Sequence, residues 1–130
     1  MKNFRLSITA ASAEAEALGR LAERGFLRIY DGAQPASPEE DIQNQKLLAQ
    51  LRCPRRGTVD RGALTLTGLE DEADAPNGGT ARWYRVFQSD GKTALWDGTV
   101  GTSDADLNLK TTLIQKRSRI TIDSIKITIA

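Results

Sequence analysis

Histidine is absent from the 130 residues, which removes the commonest general base and metal ligand together. A carboxylate that orients a catalytic imidazole, as in a hydrolase triad, has nothing to orient, and no acid pair is nominated in its place. Cysteine occurs once, as Cys53, so an intramolecular disulfide is excluded and a reducing compartment is expected. No run comes near the roughly 18 apolar residues of a membrane span. Met1-Lys2-Asn3-Phe4-Arg5 lacks the apolar block of a signal peptide. These absences predict a protein made and kept in the cytoplasm, without membrane association. Neither sign of charge dominates, since 18 basic residues face 17 acidic ones, and nothing demands a polyanionic partner. The glycine-rich phosphate cradles of nucleotide-binding proteins are missing too, because Gly78-Gly79 leads into a strand-like run rather than a helix.

What is present reads as one domain spanning residues 1–130, long enough to bury a core without metal or disulfides. It divides into an arm (1–6), a helix (7–24) and a β body (26–130). Ile8, Ala11, Ala15, Leu18 and Ala22 recur at spacings of three and four, with Leu21 beside them, which predicts an amphipathic helix. Ser7 suits its N-cap, with Ser12 as a later alternative, and Glu16 and Arg20 make an i,i+4 pair. Gly25 supplies the C′ residue. Gly19 inside the helix costs about 1 kcal/mol relative to alanine and so points to close packing, most simply on a sheet.

At Gly25 the hydrophobic period changes to two. Phe26–Tyr30 reads as the first core strand, Asp31-Gly32 closes it, and Ala33–Gln45, with Pro35 and Pro38, reads as a long surface loop. Leu47–Arg52 and Ala63–Leu69 are further strands around the turn Cys53–Gly57, although Leu47, Leu48 and Leu51 also match one turn of helix. Glu70–Gly79 reads as an exposed or flexible loop. Thr80–Gln88 and Thr93–Val100, joined by Ser89-Asp90-Gly91-Lys92, form the clearest hairpin. Short apolar pieces at Leu107–Leu109 and Leu113–Ile114 and a charged turn at Lys116–Arg119 precede the last strand, Ile120–Ile129. Its apolar parity shifts between Ile122 and Ile125, which predicts a bulge or kink at Asp123-Ser124. The expected fold is therefore mostly β, with seven or eight strands in a β-sandwich or jelly-roll-like domain. Its one helix covers a sheet through Ile8, Ala11, Ala15, Leu18 and Leu21.

Candidate chemistry is sparse. Cys53 lies between Arg52 and Arg55-Arg56, and positive neighbours lower a thiol pKa, but no histidine is there to activate it, so it reads as a strand-end core residue. Glu39-Glu40-Asp41 and Glu70-Asp71-Glu72 with Asp74 are oxygen-rich clusters without a recognised calcium spacing. Arg55-Arg56 and Lys116–Arg119 could touch phosphate and Trp83 and Tyr84 could stack bases, yet the balanced charge favours solvated turns over nucleic-acid binding. No catalytic, metal or cofactor residue is nominated, and a non-enzymatic role is expected.

The segment Gly25-Phe26-Leu27-Arg28-Ile29-Tyr30-Asp31-Gly32-Ala33-Gln34-Pro35-Ala36 resembles a family of small tailed-phage structural proteins in which a helix precedes such a run. Ala81–Val86, Ser89-Asp90-Gly91, Trp96–Gly101 and Asp106–Leu109 resemble that family's second half, in the same order. These are turn and strand signatures, not chemical ones. The Arg/Lys-rich stretches 52–61 and 115–119 depart from the family pattern. The resemblance implies a virion protein assembled in the host cytoplasm and placed on the capsid surface, as a decoration or cement protein bound to the major capsid protein or other virion proteins. It would be present as a homo-oligomer or as lattice-bound copies. A tail or head-tail joining protein is the alternative, and a nucleic-acid or carbohydrate binding module is the alternative of another class. For contact, the Ala33–Gln45 loop is the first candidate and the arm Met1–Leu6, whose Phe4 and Leu6 alternate like a strand, is the second. The five isoleucines of Ile120–Ile129 are expected to be core, because as a free edge they would promote aggregation.

Overall fold

The computed structural model describes residues 2–129. Helix α1 (Ile8–Leu21) is followed by strands β1 (Phe26–Tyr30), β2 (Leu47–Arg52), β3 (Thr58–Asp60), β4 (Ala63–Thr67) and β5 (Gly79–Thr80). Strands β6 (Trp83–Phe87), β7 (Ala94–Gly101), β8 (Leu107–Asn108), β9 (Leu113–Ile114) and β10 (Ser124–Thr128) complete the described elements. The strands form a five-stranded sheet in the order β2-β1-β6-β7-β8, a three-stranded sheet β10-β4-β3 and the pair β5-β9. The expected mostly β, sandwich-like fold with one helix is what the chain adopts, with two-residue strands bringing the described count to ten.

One core cluster joins the sheets. Leu27, Ile29, Leu51, Tyr84 and Val86 of the larger sheet share it with Leu64, Leu66 and Ile125 of the smaller sheet and with Ala15 and Ala22 from the helical segment. Directly opposed residues share a face of a sheet, so Leu66↔Ile125 and Leu64↔Ile127 set the inward side of β4 and β10.

The helix departs from expectation in three ways. It stops at Leu21 rather than Arg24, and Ala22 is its C-cap. The left-handed residue after it is Arg24 (φ 51°), not Gly25. Glycine is needed at 25 for another reason, since a Cβ there would lie 2.1 Å from the Phe87 carbonyl oxygen. Second, the docked stripe is made mainly of small residues, with Leu18 packed beside them as expected. Ala11, Ala15 and Ala22 are buried, whereas Ile8 and Leu21 are 49% and 48% exposed and do not cover the sheet. A Cβ on Gly19 would stand 3.1 Å from Leu64 Cδ1, so the close packing read from that glycine is present. Third, Glu16 and Arg20 form no ion pair. Ser7 caps the helix, accepting from the Ala10 N–H at 3.1 Å, while Ser12 accepts from the Gly62 N–H at 3.0 Å and ties the helix to the β3–β4 turn.

The acidic segment 70–79 is not a free loop. Glu70 and Arg52 exchange main-chain hydrogen bonds at 2.9 and 3.2 Å, Ala75 is buried, and Glu72 Oε1 accepts from the Gln50 N–H at 3.1 Å. The segment covers the outer edge of β2, which would otherwise offer unpaired amides. The final strand also differs from expectation. It begins only at Ser124, with 121–123 outside it, Ile122 and Ile125 are buried, and Ile120, Ile127 and Ile129 are half-buried against the core. β10 stands at the edge of its sheet.

Candidate interaction surfaces

Strand alternation sends Leu27 and Ile29 of β1 into the core and puts Phe26, Arg28 and Tyr30 on the opposite face. The same rule puts Trp83, Arg85 and Phe87 of β6 on that outer face, yet all five residues of β6 are buried. On its outer side the loop 31–46 bonds to Trp83 and Arg85, and the Arg28 guanidinium lies over Phe87. The register aligns Gln50, Arg28, Arg85 and Asp97 in one row across β2, β1, β6 and β7. Two arginines directly opposed repel one another unless each has its own partner. Arg85 has Asp97, with Nε donating to Oδ1 at 2.6 Å and Nη2 to Oδ2 at 3.0 Å. Arg28 has Gln50 Oε1 at 2.7 Å and the Gly91 carbonyl at 3.1 Å, and its guanidinium lies 4.5 Å from the centre of the Phe87 ring.

The remaining Arg85 donors hold the loop. Nη1 donates to the Glu40 carbonyl at 2.8 Å and Nη2 to the Ser37 carbonyl at 3.3 Å. Hydrogen bonding to Asp97 raises the Arg85 pKa against the opposing effect of desolvation, so the guanidinium stays charged where it is buried. Tyr30 stacks on Trp83 with centroids 4.7 Å apart, and the Trp83 indole N–H donates to the Asp31 carbonyl at 3.1 Å. At the loop base Gln45 Nε2 donates to the Ala33 carbonyl at 2.6 Å. The loop therefore has a fixed path, along which Glu39, Glu40 and Asp41 are exposed.

The other sequence candidates fall into structural roles. Cys53 is fully buried, and desolvation pushes its thiol up to about 11 despite Arg24 and Arg52 nearby, which is the opposite of an activated nucleophile. The carboxylates of 70–74 are dispersed. Glu70 faces Arg24 at 3.4 Å, Asp71 faces Arg119 at 3.1 Å, and Asp74 faces Arg117 at 3.7 Å. The acidic segment and the basic turn at 116–119 thus pair with each other. Among the described residues no group of three or more acids and thiols is placed to hold a metal. Trp83 and Tyr84 are buried and not available for stacking on bases, and the Tyr84 hydroxyl, pushed up to about 12 by burial, accepts from the Trp96 indole at 3.1 Å. The row Gln50–Arg28–Arg85–Asp97 was not nominated from the sequence. Its only signal there is a charged residue at the centre of each of two strands otherwise rich in aromatic and branched side chains.

Comparison with known protein families, with curated proteins and with solved structures found no match.

Proposed function

We propose that the chain is a non-enzymatic structural protein of a tailed-phage particle, a capsid decoration or cement protein that docks through the loop 33–45. The phage reading rests on the sequence resemblance described above. The observation that carries the docking reading is the attachment of this loop to a buried arginine. A long loop ordinarily loses conformational entropy when it binds, at about 0.5–1.5 kcal/mol for each flexible side chain immobilised. Here the Ser37 and Glu40 carbonyls are already held by Arg85 and the Glu40 carboxylate accepts from the Ala36 N–H at 3.2 Å, while the side chains of Glu39 and Asp41 face solvent. A cement protein needs a rigid body and modest, repeated contacts, because many copies act together on one lattice. Immunogold labelling of particles tests the placement. Label on heads is the expected result, and label confined to tails moves the assignment to a tail or head-tail joining protein. Co-sedimentation with heads tests the loop, because replacing Glu39 and Asp41 by serine should weaken binding while leaving the melting temperature unchanged.

A further inference from the structure

The inward-bonded residues of β10 are identifiable from its pairing. The Ile129 N–H donates to the Gly62 carbonyl at 2.9 Å, and the same register sets Ile127 opposite Leu64 and Ile125 opposite Leu66. Antiparallel ladders alternate, so the main-chain N–H and C=O groups of Ser124, Lys126 and Thr128 point away from β4. Among the described residues nothing pairs with them. A second stretch of backbone is equally unpaired. Residues 2–6 make no main-chain hydrogen bond among the described residues, and Phe4 is 85% exposed.

We propose that the arm 2–6 of a second copy of this chain adds to the open edge of β10, with the two copies exchanging arms reciprocally. Topology favours exchange over docking on the chain's own edge. β10 runs toward Gly62, and the helix begins at that same end, where Ser12 accepts from the Gly62 N–H. An arm lying along its own β10 and entering its own helix would run parallel to the strand. An arm arriving from a copy related by a two-fold axis runs antiparallel, which is the more stable pairing per residue. The same geometry places each arm's root beside the edge that receives its partner's arm, as short exchanged arms require.

Side chains agree with that direction. Antiparallel addition with Leu6 opposite Ser124 puts Arg5 opposite Ile125 and makes Asp123 its diagonal neighbour on the same face. Arg5 and Asp123 are both exposed, and neither has an ion-pair partner among the described residues. At Ser124 the edge opens into a groove of about 490 Å³ lined by Leu109, Leu113, Ile120 and Ile122, of which Leu113 is 69% exposed. Leu6, opposite Ser124, stands beside this groove.

Sedimentation equilibrium of the full chain tests it, with a mass of two chains expected. Deleting Lys2–Leu6 removes no main-chain bond of the described fold, and Lys126→Pro removes only an outward N–H, a position where edge strands tolerate proline. Each variant should sediment as a monomer with an unchanged far-ultraviolet circular-dichroism spectrum. Arg5→Asp should weaken the dimer at least tenfold, and Asp123→Arg in the same chain should restore it. A full chain that stays monomeric, an arm deletion that stays dimeric, or an arm whose amides are protected from exchange in a monomer would each overturn the proposal.

Discussion

Arg85 and Asp97 face each other across β6 and β7 at 2.6 Å, each with a side chain only 3% exposed. Removing one partner of a buried pair leaves the other charge without compensation, which costs about 3–5 kcal/mol. Arg85→Met is expected to lower stability by that amount in urea unfolding. Replacing both, as Arg85→Met with Asp97→Leu, should recover much of the loss. Neither variant can hold the Ser37 and Glu40 carbonyls, so both should show faster amide exchange across 33–45.

The loop and the final strand should respond differently to deletion. Removing Ile125–Ala130 takes away buried Ile125 and the strand paired with β4, and loss of the cooperative unfolding transition is expected. Shortening 33–45 takes away the carbonyls that Arg85 donates to, so the fold should survive with stability reduced by about 1–3 kcal/mol for the unsatisfied donors. Calorimetry of the two deletions distinguishes these outcomes.

Two glycines bracket the end of the helix and should behave oppositely. Gly25→Ala would drive a Cβ to 2.1 Å from the Phe87 carbonyl oxygen, where main chain must move, and a loss of at least about 1–3 kcal/mol is expected. Gly19→Ala meets only the tip of Leu64 at 3.1 Å and gains up to about 1 kcal/mol of helix propensity. Its melting temperature should be unchanged or higher.

Burial holds the Cys53 thiol neutral, with its pKa raised from 9.0 to about 11. An acid whose pKa is higher in the folded state contributes stability below its unfolded pKa, and that contribution is lost as pH rises through the folded value. Stability should therefore fall between about pH 9 and pH 11, by on the order of 2–3 kcal/mol from this group. Tyr84, raised from 10.0 to about 12, acts with the same sign at higher pH. Cys53→Ala should flatten the first part of the profile, and the native thiol should react with a disulfide reagent only as fast as the protein unfolds.

Local pattern was sufficient for most elements. The helix start at Ser7, the strands at 26–30 and 47–52 and the hairpin around Asp90 follow from capping, period and turn chemistry, all of which act between residues close in the chain. The close packing at Gly19 was legible for the same reason, since a glycine in a helix has few other uses. The end of the helix was not. What occupies the space beside Gly25 is a carbonyl of β6, 62 positions later, so the requirement for glycine there is invisible to local reasoning.

The sequence by itself determined the mostly β character, the position of the helix and the absence of imidazole chemistry, because these depend on composition and on short-range periodicity. Only the tertiary structure decided which charges are partners. Arg85 meets Asp97, Ser37 and Glu40, and Arg119 meets Asp71, through tertiary contacts that join residues 12 to 48 positions apart. It also decided that β10 ends a sheet with its outer amides unpaired. Edge or centre is a property of strand order, and strand order is set by how sheets close around a shared core, which no single strand's side-chain pattern encodes.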